Sequence, residues 1–152
     1  IFNLLINGTH GNPVPGARVL DLFAGTGALG LEALSRGAAQ ATFVDDGGTA
    51  LALLARNIGL MRAAAACEVV RRDARMLGPN RGAPFDLVFL DPPYGTALGE
   101  LALALCLSGG WLAAGAMVVW EESSPQLPPA GFAALDQRQY GSTAVTLLRA
   151  PG

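Results

Sequence analysis

The segment Val19-Leu20-Asp21-Leu22-Phe23-Ala24-Gly25-Thr26-Gly27-Ala28-Leu29-Gly30 constrains the fold more than any other part of the chain. A short apolar run ends on glycines, and helical spacing begins directly after them, over Ala28 to Ser35. A strand that enters a helix through glycines brings bare backbone close to a ligand, with unpaired helix N–H groups beside it. The spacing Gly25-x-Gly27-x-x-Gly30 also satisfies the fingerprint of NAD-binding folds, and Asp45 lies about 20 residues further on, where such folds carry a ribose-binding carboxylate. The glycines alone therefore leave the cofactor open.

Asp21 narrows that choice. At the end of the first strand, facing the crevice, a carboxylate repels a pyrophosphate and attracts the cationic amino group of a methionine moiety, so charge favours S-adenosylmethionine over NAD. The structural alternative is that Asp21 only caps the loop and the glycines only permit tight helix–strand packing. Asp45 is read as a bidentate acceptor for two ribose hydroxyls, with helix N-capping as its alternative and neighbouring Asp46 competing for either role. Asp73, in Arg71-Arg72-Asp73-Ala74 after the third strand, is placed to accept from an adenine amino group; as an alternative it is an exposed turn residue.

The elements around this loop alternate. Strands are expected over Arg18 to Phe23, Ala41 to Val44, Cys67 to Arg71 and Phe85 to Leu90, and helices over Ala28 to Ser35, about Thr49 to Leu60, and Leu98 to Leu107. Such alternation predicts an α/β fold, a mostly parallel sheet with helices on both faces. The last third differs: a strand over Ala116 to Trp120, a proline-rich loop over Pro125 to Gly131, then runs Phe132 to Gln139 and Thr143 to Arg149 about the turn Tyr140-Gly141-Ser142. This predicts a C-terminal antiparallel hairpin, giving a seven-stranded sheet unlike the two repeated halves of a dinucleotide-binding domain. With no internal repeat or linker, residues 1–152 are expected to form one domain, taken as a monomer.

The second chemical signal is Phe85-Asp86-Leu87-Val88-Phe89-Leu90-Asp91-Pro92-Pro93-Tyr94-Gly95, a buried strand running into an acidic, aromatic turn at the carboxyl edge of the sheet. Two prolines hold the backbone extended and remove two donors, so Asp91 and the local carbonyls can only accept hydrogen bonds. An exocyclic base amine is a poor nucleophile because its lone pair is delocalised into the ring. Accepting its N–H hydrogens at Asp91 and the Pro92 carbonyl favours a pyramidal nitrogen, ready for in-line attack on a sulfonium methyl, and an ionised Asp91 of ordinary pKa stabilises the charge that develops. Tyr94 offers an aromatic face for a base taken out of its stack. No metal is needed, in keeping with the lone His10.

These blocks, with Val44-Asp45, Arg56-Asn57 and Tyr140-Gly141-Ser142-Thr143, resemble the RsmD-type 16S ribosomal RNA guanine-N2 methyltransferases over essentially the whole chain. The resemblance implies a Rossmann-like class I methyltransferase fold that uses S-adenosylmethionine. Its cofactor contacts fall on Asp21, Phe23, Ala24, Gly25, Gly27, Asp45, Asp46, Asp73, Ala74 and Asp91, and its catalytic turn on Asp91, Pro92, Pro93 and Tyr94. The partner it implies is 16S rRNA in the small ribosomal subunit. Two departures stand out: Asp45 replaces the usual glutamate, and the family's basic N-terminal segment is missing before Ile1, where an apolar run reads as the end of a helix. Asp-Pro-Pro-Tyr also occurs in methyltransferases acting on adenine N6 or cytosine N4 of DNA, which keeps those bases as alternatives. An NAD-linked oxidoreductase and a non-catalytic cofactor-binding module remain as further classes.

Composition sets limits on partners. A net charge of −2, with no lysine, excludes gripping nucleic acid by a bulk positive field, so RNA contact must be local. Cys67 and Cys106 lack the spacing of a zinc site or redox pair and read as buried thiols. Leu101 to Leu107 is too short to span a bilayer and no signal segment opens the chain, so a cytoplasmic protein is expected. Trp111 and Trp120 read as core.

Overall fold

The computed structural model describes residues 1–152. Strands β1 (Arg18–Leu22), β2 (Gln40–Asp45), β3 (Cys67–Arg71), β4 (Phe85–Leu90), β5 (Leu112–Glu122), β6 (Ala133–Tyr140) and β7 (Thr143–Arg149) form a single sheet in the order β3-β2-β1-β4-β5-β7-β6. β1 to β5 pair in parallel, and β7 enters antiparallel between β5 and β6. The helices are α1 (Phe2–Asn7), α2 (Ala28–Ser35), α3 (Gly48–Leu60) and α4 (Leu98–Ser108), with short 3-10 turns at Ala64–Ala66 and Ala74–Met76.

Strand residues alternate between two cores, as a period of two requires. Val19, Phe43, Phe89 and Val119 pack with Leu5, Leu31, Leu54 and Ile58, under α1, α2 and α3. Leu20, Leu22, Val88, Leu90 and Trp120 pack on the opposite face with Leu103, Cys106 and Trp111, under α4 and the second 3-10 turn. Helices therefore cover both faces, and both tryptophans are core residues, as the sequence predicts. Cys106 is buried and Cys67 half-buried, both as free thiols. No helix is long and apolar enough to cross a membrane.

Several boundaries differ from expectation: β2, β6 and α4 by one residue at one or both ends, and β5 and β1 in ways that bear on the site. β5 begins at Leu112, four residues before the predicted Ala116, because a bulge between its pairs with Phe85 and Leu87 and a left-handed Gly115 let an alanine–glycine stretch join the sheet. The same strand continues through Glu121 and Glu122, paired with Val145 and Ala144 of β7. Phe23 lies beyond β1 at φ 56°, a left-handed conformation that costs a non-glycine residue about 1–3 kcal/mol and turns the chain out of the sheet into the loop.

Candidate active site

The loop between β1 and α2 is held from both sides. Ala24 N–H donates to the Val44 carbonyl at 3.0 Å, and Gly25 N–H donates to Asp45 Oδ2 at 2.8 Å. Asn57 on α3 donates to the Thr26 carbonyl at 3.0 Å. At Gly27, φ 80° combines with packing so close that a Cβ would stand 2.3 Å from Leu54 Cδ1. At Gly30 a Cβ would stand 2.5 Å from the Phe43 ring. These two glycines serve tight helix–strand packing, the structural alternative raised from sequence. Gly25 differs: nothing lies within 4 Å of a Cβ built there, so the loop backbone is open to an approaching ligand.

Asp21 lies beneath the loop, 2% exposed, rather than on the wall of an open crevice. Its Oδ2 accepts from Gly30 N–H at 3.0 Å, satisfying one of the orphan donors in the first turn of α2. Burial pushes its pKa up to about 8; the Gly30 contact opposes this, while Asp91, Glu121 and Asp45 add repulsion. Asp45 uses one oxygen for Gly25 and the other for Gly47 N–H at 2.8 Å, capping the start of α3 as well as tethering the loop. Each of those oxygens retains a second lone pair. Asp73 caps the following 3-10 turn and forks onto Arg75 at 2.5 and 3.0 Å, which holds its carboxyl below the usual range.

A cavity of about 180 Å3 opens at the carboxyl edge, lined by Phe23, Val44, Asp45, Asp46, Arg72, Asp73, Ala74, Arg75, Pro93 and Leu98. It gathers Phe23, Asp45, Asp46, Asp73, Ala74 and Pro93 of the sequence-predicted residues; Asp21, Ala24, Gly25, Gly27 and Asp91 do not line it. An adenosine-like group fits this donor and acceptor set: carboxylates at the ends of β2 and β3, an apolar side from Phe23 and Leu98, and open loop backbone beside it.

The turn predicted to be catalytic follows β4. Asp91 and Pro93 are exposed, Pro92 is buried, and Tyr94 is 43% exposed with its hydroxyl 3.3 Å from Thr143 Oγ1. Thr143 belongs to the Tyr140-to-Thr143 block, so the hairpin tip braces the tyrosine. Asp91 does not keep the ordinary pKa expected of it: partial burial and nearby Glu122 raise it, although a hydrogen bond with Glu121 opposes them. Glu121 is pushed up to about 7, first by burial and then by Asp91. Glu122, on the other face of β5, is 2% exposed, and its Oε1 accepts from Gly95 N–H at 3.4 Å, tying down the far end of the turn. The sequence reading missed both glutamates. Its own rule, that ligands bind at the carboxyl ends of parallel strands, would have found them had β5 been carried two residues further.

The strand order with its antiparallel β7 and the likeness to solved methyltransferase structures define a Rossmann-like methyltransferase domain. The chain belongs to the family described as Conserved hypothetical protein 95, whose model matches residues 1–149. It is 38% identical over 134 residues to the ribosomal RNA small subunit methyltransferase D of Escherichia coli K12, covering 86% of this chain and 67% of that protein. Among solved structures it is similar to a putative methyltransferase, yhhF, from Escherichia coli, with a TM-score of 0.85 and 33% identity over 99% of this chain and 82% of that one. A putative methylase from Haemophilus influenzae gives a TM-score of 0.84 at 29% identity, covering 99% and 94% of the two chains.

Proposed function

We propose that this domain transfers a methyl group from S-adenosylmethionine to the exocyclic N2 amine of a guanine in small-subunit ribosomal RNA. The observation that carries the reading is that Pro93 of the amine-accepting turn is also a wall of the cavity framed by Asp45 and Asp73. A base held by the turn and a cofactor held in the cavity are therefore neighbours. The relatives named as small-subunit rRNA methyltransferases support the choice of substrate.

S-adenosylmethionine supplies an electrophilic methyl on a sulfonium. In this reading Asp45 and Asp46, which line the cavity, accept from ribose hydroxyls and Asp73 from the adenine amine, with Phe23, Ala74 and Leu98 supplying apolar contact. Ala24, Gly25 and Gly27 offer loop backbone, and Asp21 beneath them supplies the negative charge that a methionine ammonium requires. The Asp91 carboxylate and the Pro92 carbonyl accept from N2, and Tyr94 stacks on the extruded base. With S-adenosylmethionine bound, N2 would take the methyl and the thioether would leave; Asp91, whose raised pKa makes it the better acceptor, would take the proton that N2 then gives up.

Incubation with isotopically labelled S-adenosylmethionine and small ribosomal subunits, followed by nucleoside mass spectrometry, tests this directly. N2-methylguanosine that disappears in Asp91→Ala supports the reading. Label in N6-methyladenosine or N4-methylcytidine, or NAD binding in place of S-adenosylmethionine, overturns it.

A further inference from the structure

We infer that Glu121 is a specificity residue that accepts the ring N1–H of guanine while Asp91 accepts from the N2 amine, so that the carboxylate pair reads both donors of the guanine edge. This rests on the reading of the site as a base amino-methyltransferase.

The geometry comes from sheet register. Leu90 of β4 pairs with Trp120 of β5, so one step further on Asp91 stands beside Glu121, with their side chains on the face shared by Phe89 and Val119. The two carboxyls act on each other, Asp91 adding to the burial that raises Glu121. No arginine answers them: the four ion pairs of the chain involve Asp136 twice, Glu32 and Asp73. Beneath the same edge is Asp21, 2% exposed, with only one carboxyl oxygen hydrogen-bonded. Three neighbouring carboxyls without an arginine partner are held together at a cost, and a ligand edge made of donors relieves it.

Base chemistry decides which edge fits. Guanine presents N1–H next to N2–H2, two adjacent donors for two carboxylates. Adenine N6 stands next to a ring nitrogen lone pair, as does cytosine N4, and an ionised Glu121 would face that lone pair unpartnered. Accepting N1–H also shifts electron density towards N2 and strengthens it as a nucleophile. With Glu121 protonated the preference reverses, since the acid donates to a ring lone pair. The carboxyls that face Glu121 are Asp91 beyond β4 and, further along the edge, Asp21 on β1. Guanine methylation should therefore rise with pH through about 7 as the pair sheds its shared proton.

The test uses the full chain and its Glu121→Gln variant, with S-adenosylmethionine affinity measured in parallel. The methylated guanine is first mapped, and subunits are then reconstituted around 16S RNA carrying either guanine or 2-aminopurine there. 2-Aminopurine keeps the amine but replaces N1–H by a lone pair. The parent enzyme should methylate guanine about 10- to 100-fold faster than 2-aminopurine above pH 7. In Glu121→Gln, whose amide can donate to the lone pair, that ratio should collapse and the rise with pH should vanish. An unchanged ratio in a variant that still binds cofactor overturns the inference alone. A parent enzyme that binds cofactor yet methylates no guanine amine overturns the function proposed above, and this inference with it.

Discussion

Replacing Asp21 by asparagine separates what this carboxyl does for the fold from what it is proposed to do for the cofactor. Its pKa is ordinarily 3.8 and rises to about 8 in the folded chain. Between those values the native state holds a proton that the unfolded state has released. Stability from this group is therefore full below about pH 4 and falls as pH climbs towards 8. At pH 7 about three units of that interval have been crossed, at about 1.4 kcal/mol each, so ionisation linkage removes about 4 kcal/mol. Asparagine has no charge to desolvate and can still accept from Gly30 N–H, but its amide N–H groups are left buried and unpaired, at about 1–3 kcal/mol. Asp21→Asn should thus stabilise the cofactor-free chain by about 1–3 kcal/mol at pH 7 and destabilise it below about pH 5.

The cofactor should respond in the opposite sense. Only the ionised carboxylate attracts a methionine ammonium, and at pH 7 about one-tenth of the molecules carry it, so affinity in the parent chain should improve from pH 7 towards pH 8 and fall again by pH 9 as the ammonium itself loses its proton. Glu121 also titrates near this range, so the part of the pH dependence lost in Asp21→Asn is what belongs to Asp21. Denaturant unfolding at pH 5 and 7, with calorimetric titration of S-adenosylmethionine from pH 6 to 9, measures both effects. A variant no more stable than the parent at pH 7, or one that keeps the parent's pH slope in affinity, refutes the reasoning.

Further outcomes follow from single contacts. Gly27→Ala meets Leu54 at 2.3 Å in a left-handed conformation and should cost about 2–4 kcal/mol, read from the urea midpoint, with cofactor binding weakened as the loop shifts. Tyr94→Phe, which loses only the hydroxyl contact to Thr143, should methylate nearly as well as the parent, whereas Tyr94→Ala should lose about 1–3 kcal/mol of base stacking, seen mainly in KM for the RNA. The Cys106 thiol, buried and pushed up to about 12, should resist alkylation at pH 8 until the chain unfolds, and half-buried Cys67 should react first, as followed by mass spectrometry.

The fold was legible because its signals are local. α2, β3, β4 and β7 occupy the residues their patterns predict, since short apolar runs, helical spacing and glycine turns are each written in consecutive residues. β5 was misread for a reason of context. Leu112-Ala113-Ala114-Gly115 has poor strand propensity, and Glu121-Glu122 has worse; both are held as strand by β4 and β7 on either side. Tertiary pairing overrides propensity most readily in a central strand, which is where the sheet also places a ligand-facing edge.

The same distinction explains which site residues could be read and which could not. Asp91 and Tyr94 are marked by the prolines between them, and Asp45 by its distance from the glycines. Glu121 carries no such mark, because its neighbour Asp91 is 30 positions away in sequence and one strand away in space. Charge state is less legible still. Asp21, Asp91 and Glu121 come from three separate strands, and their raised pKa values arise from shared burial and mutual repulsion that no one segment encodes. A site assembled this way is poised rather than complete: its carboxyls hold protons more tightly than free carboxyls do, until a cation lies over Asp21 and a donor edge meets Asp91 and Glu121. Binding of cofactor and of base should then each lower the proton affinity met by the other, so the two ligands favour one another without any movement of the backbone.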